Sequence, residues 1–451
     1  MSAATDTIAA VATPSGRGGI GVVRLSGPAC RSIATSLLGR VPEPRHASYG
    51  AFRDAAGELI DRGIALYFPA PHSYTGEDVL ELQGHGGDMV MQLLLAAAID
   101  QGARQARPGE FTERAFLNDR LDLLQAEAVA DLIDSHSAAA ARGALRSLQG
   151  EFSQTVNEIR QALVDLRVKV EGALDFPDED LEIILGDSLD GALRALLARI
   201  ANVQQQAQQG RLLNSGVDIA IVGAPNVGKS SLINRLSRSD AAIVTDIPGT
   251  TRDPIRSHCL LDDLPVVLTD TAGLRDSTDV IEQEGIRRAN RALGQADLVL
   301  WLNTTAQPDS AALEAIHAQM APGATLLHVH NKIDQQNLQA YRLQDERGQT
   351  RVGLSALTGA GIDLLVDAIK EQVGYGGGSE SVFSARERHL QALAQTHAAL
   401  QQAVAIAETV PTLELVAENL RQAQDALTVL TGEFSADDLL GEIFARFCIG
   451  K

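Results

Sequence analysis

The sequence predicts a multidomain fold of mixed α/β and all-α parts, and three changes of texture along its 451 residues predict it. Residues 1–118 are rich in glycine, proline and short β-branched runs such as "GIGVVRLSG" and "DVLELQGHGG". They read as strands and turns with occasional helix, an α+β domain. Residues 119–214 become rich in alanine, leucine and glutamine, with apolar side chains three and four apart and few breakers. Long amphipathic helices have that spacing. At Val217 short apolar runs take over, "VDIAIVG", "LPVVLTDTAG", "ADLVLWLN" and "ATLLHVHNKID", separated by helix-like stretches. That alternation belongs to a mostly parallel sheet with crossover helices. It closes at the Gly/Ser linker "VGYGGGSES", after which the chain is helical again. The economical arrangement is an α/β domain, residues 215–376, inserted into a helical domain made of residues 119–214 and 377–451, behind the N-terminal domain.

Composition narrows the class. Apolar residues make up 45%, as in a globular protein. The formal charge of −20 argues against a chain that coats nucleic acid through its overall field. The acid is concentrated in "DFPDEDLEIILGD", which reads as a solvated face. No apolar run approaches the roughly 18–20 residues of a membrane span. The start "MSAATDTIAAV" lacks a basic flank and an apolar h-region. Cys30, Cys259 and Cys448 have no metal-ligand spacing. A cytoplasmic protein without a membrane segment is expected.

The chemistry lies in five short motifs in order. After the strand "VDIAIV" comes "GAPNVGKSS", residues 223–231, then a helix. This is the P-loop pattern in its confirming context. Gly223 and Gly228 permit the tight loop whose backbone N–H groups, through Asn226, Val227 and Ser231, surround phosphates. Lys229 places a charge at the β/γ-phosphates, Ser230 is set to ligate Mg²⁺, and the helix N-terminus adds its partial charge. "NKID" chooses the base. The Asp334 carboxylate can accept from guanine N1–H and the 2-amino group, donors that adenine lacks there. Lys332 follows Asn331 and can lie along the base plane. "SAL" places Ser355 and brings the Ala356 N–H to guanine O6. In "TDIPGTTRD", which runs from Thr245 through Thr250, Thr251 is set to bind Mg²⁺ by its hydroxyl and the γ-phosphate by its N–H. In "DTAGLRD", Asp270 holds the Mg²⁺ shell, and the loop Thr271, Ala272, Gly273 meets the γ-phosphate. Together these predict a Ras-like P-loop GTPase domain. Leu274 stands where many small GTPases carry a water-orienting glutamine, and it can neither donate nor accept.

Beyond the nucleotide motifs, the chain resembles the bacterial tRNA modification GTPases of the MnmE (TrmE) family over essentially its whole length. The blocks that carry the resemblance are "TPSGRGGIGVVR", "TGEDVLELQGHGG", "RPGEFTERAFLND", "DFPDED", the nucleotide motifs and "TGEFSADDLLGEIFARFCIGK". The resemblance implies a homodimer working with an FAD-dependent subunit of the MnmG/GidA type, in a heterotetramer or larger assembly. It implies transfer of an aminomethyl or carboxymethylaminomethyl group to C5 of the wobble uridine of certain tRNAs. The carbon would come from 5-formyl- or 5,10-methylene-tetrahydrofolate bound in the N-terminal domain. Carried over by motif, the folate contacts are Arg24, Glu81, Arg120 (where many relatives have Lys) and Lys451. From the residues alone, Arg24 and Glu81 read rather as an ordinary ion pair at a sheet edge. Cys448 is either a small core hydrophobe or, three residues from the end of "FCIGK", a functional thiol near the folate. His85 is either a polar site residue or a turn-stabilising imidazole. For hydrolysis the resemblance implies a K⁺ ion held by the Asn226 side chain and the carbonyls of Thr245, Ile247 and Thr250. It also implies Glu282 as the acidic residue that orients water. The nucleotide motifs alone also suit a ribosome-assembly GTPase acting on ribosomal RNA, but no basic RNA-binding module is visible.

Overall fold

The computed structural model describes residues 6–175, 189–238, 256–270, 291–305, 310–344, 348–376, 382–409, 412–432, 437–445, 447 and 450. Two compact units emerge, Met1–Ala130 with Ser147–Leu185 and Leu413–Lys451, and Asp131–Arg146 with Gly186–Thr412.

The first unit is built on six strands, β1 (Thr7–Val11), β2 (Gly21–Ser26), β3 (Ser48–Arg53), β4 (Leu59–Phe68), β5 (Val79–Gly84) and β6 (Ala103–Gln105). Their order is β3-β4-β5-β2-β1-β6, antiparallel except for the β1–β6 pair. Period-two alternation decides which side chains go where. Ala9, Val23, Leu25, Leu80 and Leu82 face the helices Cys30–Leu38 and Asp88–Asp100 and form one core. Ile8 and Ala10 turn to the other face, against Ala106 and Phe111. Each fully buried Leu, Ile or Phe contributes roughly 1.5–3 kcal/mol. In the helix Glu151–Asp175, Phe152, Val156, Ile159, Leu163, Leu166 and Val170 make the buried stripe that the sequence spacing required. It packs against the helix Leu413–Thr431, which supplies Val416, Leu420, Ala423 and Leu427.

The second unit carries seven strands, β7 (Val217–Gly223), β8 (Arg256–Leu261), β9 (Leu264–Asp270), β10 (Leu298–Asn303), β11 (Thr325–His330), β12 (Tyr341–Gln344) and β13 (Thr350–Gly353). The order is β12-β13-β11-β10-β7-β9-β8. The five strands from β13 to β9 run parallel, and β8 and β12 are antiparallel edges. β7 is nearly continuous in apolar residues because both faces are covered. Ile219 and Ile221 enter one core with Leu300, Leu302 and Val329, while Ala220 and Val222 enter another with Val299 and Trp301. The helix Leu189–Ser215 leads into β7 and packs along the helix Glu387–Thr409. Gly210 on the first of these has no Cβ because the Phe383 carbonyl passes where one would stand, at 1.6 Å. The antiparallel edges went unpredicted from sequence, since "RSHCLL" and "YRLQ" are too short and mixed to declare a period.

Candidate nucleotide-binding site

The site assembles at the C-terminal ends of parallel strands, where open α/β sheets bind ligands. β7 ends at Gly223, and the helix Lys229–Arg238 begins six residues later. Gly228 has φ +103, and a Cβ there would stand 2.3 Å from Asn331 Nδ2. Glycine is therefore demanded twice, by backbone conformation and by the neighbouring amide. Lys229 folds back over the loop, its Nζ donating to the carbonyls of Gly223 (2.8 Å) and Ala224 (3.3 Å). Burial pushes its ammonium pKa down, and the charge of Asp270 works against that shift.

Asn331 joins the two halves of the site. Its Nδ2 donates to the Val227 carbonyl at 2.7 Å, and its Oδ1 accepts the Ala356 N–H at 2.9 Å. Lys332, at φ 64, donates from Nζ to the Asn226 carbonyl at 2.7 Å. Asp334 is the second residue of the 3₁₀ turn Ile333–Gln336, which the buried Ile333 anchors in the core. Its Oδ1 is buried with no hydrogen-bond partner among the described residues. A buried orphan acceptor is costly unless a ligand donates to it. Ser355 is buried, its hydroxyl accepting the Thr358 N–H at 3.2 Å.

Asp270, the last residue of β9, repeats the pattern. Its Oδ2 accepts from Ser230 Oγ at 3.4 Å, while its Oδ1 is buried and without a partner among the described residues. A hydroxyl and a carboxylate, both hard oxygens, one of them unsatisfied, suit a magnesium ion. The structure thus brings together Gly223, Asn226, Val227, Gly228, Lys229, Ser230, Ser231, Asp270, Asn331, Lys332, Asp334, Ser355 and Ala356. Thr245, Ile247, Thr250, Thr251, Thr271, Ala272, Gly273 and Glu282 lie outside the described residues. One detail departs from the sequence expectation. The Ala356 N–H is donated to Asn331 rather than left open for a base.

In the first unit, Arg24 and Glu81 are register partners on β2 and β5, paired at 2.9 Å. The Arg24 guanidinium stands over the rings of Tyr74 (5.7 Å) and Phe111 (5.9 Å), and its Nη1 donates to the Gly450 carbonyl at 3.4 Å. The C-terminal segment therefore meets this pair at Gly450; Cys448 and Lys451 lie outside the described residues. A cavity of about 760 Å³ opens beside it, lined in part by Ala10 (register partner of Arg24), Val11, Arg17 and Gln105. Arg120 is exposed beside Gly76. His85 accompanies Asp61, Nδ1 to Oδ1 at 2.8 Å, its side chain 76% exposed. Sequence reasoning missed a neighbouring ion network. Arg114 spans Glu77 and Asp6 at 2.9 and 2.8 Å, and Glu110 joins it to Arg104. Its only signal was the alternation of Arg and Glu in "RPGEFTER".

Strand order, loop and helix define a P-loop nucleotide-binding α/β protein. Residues 123–448 match the family described as the MnmE helical domain, and residues 7–120 the GTP-binding protein TrmE N-terminus. A tRNA modification GTPase MnmE of Nitrosococcus oceani is 51% identical over 99% of this chain and 97% of its own. Proteins of the same description from Nitrosomonas europaea (50%, 99% of each chain) and Pseudomonas aeruginosa strain UCBPP-PA14 (49%, 100% of each) are as similar. This chain belongs to the MnmE family of tRNA modification GTPases. Among solved structures, the G domain of the T. maritima FeoB iron transporter is 27% identical over 36% of this chain and 99% of its own, with a TM-score of 0.27, too low to carry an argument. Among the described residues, no helix is long and apolar enough to cross a membrane.

Proposed function

We propose that this chain is a cytoplasmic, K⁺-activated GTP hydrolase that takes part in modifying the wobble uridine of certain tRNAs. One observation carries the nucleotide half. The Asn331 amide fastens the phosphate loop to the Ser355–Ala356 loop, and three residues further on stands the half-buried Asp334, whose Oδ1 is buried with no partner among the described residues. A 6-oxo-2-aminopurine offers the two donors that such a carboxylate lacks. Ser230 and Asp270, with Thr251, would hold Mg²⁺, which when bound would offset phosphate charge. Lys229 exchanges its two loop carbonyls for phosphate oxygens. Asn226, Thr245, Ile247 and Thr250 would hold K⁺, and Glu282 orients the water.

The tRNA half is supported by relatives near 50% identity that carry the name tRNA modification GTPase MnmE. Residues 1–118 serve as a tetrahydrofolate-binding and dimerising domain. Arg24, Glu81, Arg120 and Lys451 contact a 5-formyl- or 5,10-methylene-tetrahydrofolate, and Cys448 acts beside it. The α/β domain 215–376 is inserted between the helical halves 119–214 and 377–451. An FAD-dependent partner subunit supplies redox chemistry, and the product carries a carboxymethylaminomethyl or aminomethyl group at C5. Nucleoside analysis of tRNA from a deletion strain tests this. Loss of the wobble modification, restored by this chain, is expected; intact modification with accumulating ribosomal precursors would favour a ribosome-assembly role instead.

The base reading has its own test. Asp334→Asn is expected to shift preference from GTP toward xanthosine triphosphate, whose 2-oxo group accepts from the new amide. The change is roughly 10²-fold or more, since a mismatched buried polar pair is involved. Competition binding of both nucleotides measures it, and unaltered GTP preference would mean that the base sits elsewhere.

A further inference from the structure

Arg235 lies on the helix that begins at the phosphate loop, yet its guanidinium is spent on the loop beyond β13. Nε donates to the Ala356 carbonyl at 3.3 Å and Nη2 to the Leu357 carbonyl at 2.5 Å. The guanidinium also lies against Gly359, where a Cβ would stand 3.6 Å from Cζ. A planar fork that holds two successive carbonyls fixes two successive peptide planes. In a trans peptide the C=O and N–H point opposite ways. Drawing the Ala356 carbonyl toward the helix therefore turns the Leu357 N–H away from it.

The other donors of this loop are engaged. The Ser355 N–H goes to the Ala360 carbonyl (2.9 Å) and the Ala356 N–H to Asn331 Oδ1 (2.9 Å). The Thr358 N–H goes to Ser355 Oγ (3.2 Å) and the Gly359 N–H to the Ser355 carbonyl (2.8 Å). The Leu357 N–H has no acceptor among the described residues, and Leu357 is 76% exposed. The neighbouring Ala356 N–H is held by Asn331, the residue that also grips the phosphate loop. The open donor thus borders the same site.

We propose that Arg235 is a positioning residue for base recognition, and that the donor it presents to the 6-oxo group of a guanine nucleotide is the Leu357 N–H rather than that of Ala356. The proposal rests on the reading of Asp334 as the acceptor of guanine N1–H and its 2-amino group. A single arginine thereby ties the helix that starts at the phosphates to the loop that reads the base, so that the two ends of the nucleotide are measured against one rigid element.

Competition binding with the full-length chain separates these readings, using GDP, IDP and 6-thio-GDP against a fluorescent GDP. IDP lacks the 2-amino group and reports Asp334. 6-Thio-GDP keeps N1–H and the 2-amino group but replaces the 6-oxo acceptor with a weaker one, so it reports the loop donor. Arg235→Ala is expected to weaken GDP binding by roughly 3–10-fold, the scale of one hydrogen bond. It should bring the GDP to 6-thio-GDP ratio toward one while leaving the GDP to IDP ratio at its wild-type value. Arg235→Lys, which holds one carbonyl but not two, should fall between and guards against a folding defect in the alanine chain. A wild-type 6-thio ratio in both variants, or an equal fall in both ratios, overturns the role of Arg235. Equal GDP and IDP affinities in the wild-type chain would instead overturn the guanine reading beneath it.

Discussion

An Arg114→Ala chain is expected to lose roughly 3–5 kcal/mol of stability in its first unit, the scale for removing one partner of a buried ion network. Arg114 is 4% exposed and hydrogen-bonds three carboxylates, those of Asp6, Glu77 and Glu110, together with the Asp6 carbonyl. These residues pin β1, β6 and the helix Glu110–Leu117 to one another. Without the guanidinium, the 2%-exposed Glu110 carboxylate is left with Arg104 and the Arg107 N–H, and Glu77 with the Ser26 hydroxyl. Burial pushes the Asp6 carboxyl up, but the Arg104 hydrogen bond and the Arg114 charge outweigh it and hold the pKa below its ordinary value. Glu110 is likewise lowered, burial being outweighed by Arg104 and the Arg107 N–H. A carboxylate with a depressed folded pKa adds stability that is present above the unfolded value, near pH 4, and is lost as pH falls through the folded one. The wild-type network should therefore weaken in acid, and the Arg114→Ala chain should show less of that pH dependence. Hydrogen exchange over residues 6–12 and 103–117, corrected for intrinsic rates, measures both effects. The single tryptophan, Trp301, belongs to the other unit, so its fluorescence serves as an internal control. Wild-type protection in the variant would reduce the network to surface decoration.

How much of this was legible in the sequence depends on the range of the interaction. β7 could be read because its "VDIAIVG" is apolar on both faces, and the loop after it because each residue type has one mechanical reason to be there. The helix Glu151–Asp175 could be read from its own spacing. The edge strands could not, because β8 and β12 gain their conformation from neighbours. The Arg114 network joins residues up to 108 apart, and no local period announces such contacts. Arg235 was invisible for the same reason, being one of two arginines on a polar helix until the fold brings Ala356 and Leu357 to it. Arg24 and Glu81 lay between these cases. The blocks "GVVR" and "VLELQG" drew attention through resemblance, whereas only the register of β2 with β5 makes them a pair.

GTP turnover is expected to fall roughly 10²–10⁴-fold in a Glu282→Ala chain, the range for loss of a positioned acid–base group, and to run much faster in KCl than in NaCl at equal ionic strength. Both expectations start from Leu274, which cannot orient a water. The described part of the site shows a second gap. Lys229 and the Asn331-linked loops provide for phosphate and base, but no arginine among the described residues is directed at the phosphate loop to offset charge developing at the γ-phosphate. Something must supply charge compensation, and something must align the nucleophile. Asn226 is exposed on the phosphate loop at φ 63, with its own carbonyl already taken by Lys332, which leaves its side-chain oxygen as the candidate cation ligand. A site sized for K⁺ holds Na⁺ poorly, hence the expected salt dependence. Asn226→Ala should then remove the difference between the salts while leaving GTP affinity largely intact, because Asn226 is not what grips the base. Glu282→Ala should instead keep both the salt preference and the affinity while losing rate. Steady-state phosphate release in the two salts, with nucleotide affinity measured alongside, distinguishes the roles. Equal rates in KCl and NaCl for the wild-type chain would remove the cation from hydrolysis, and an undiminished Glu282→Ala rate would leave water alignment to a residue other than Glu282.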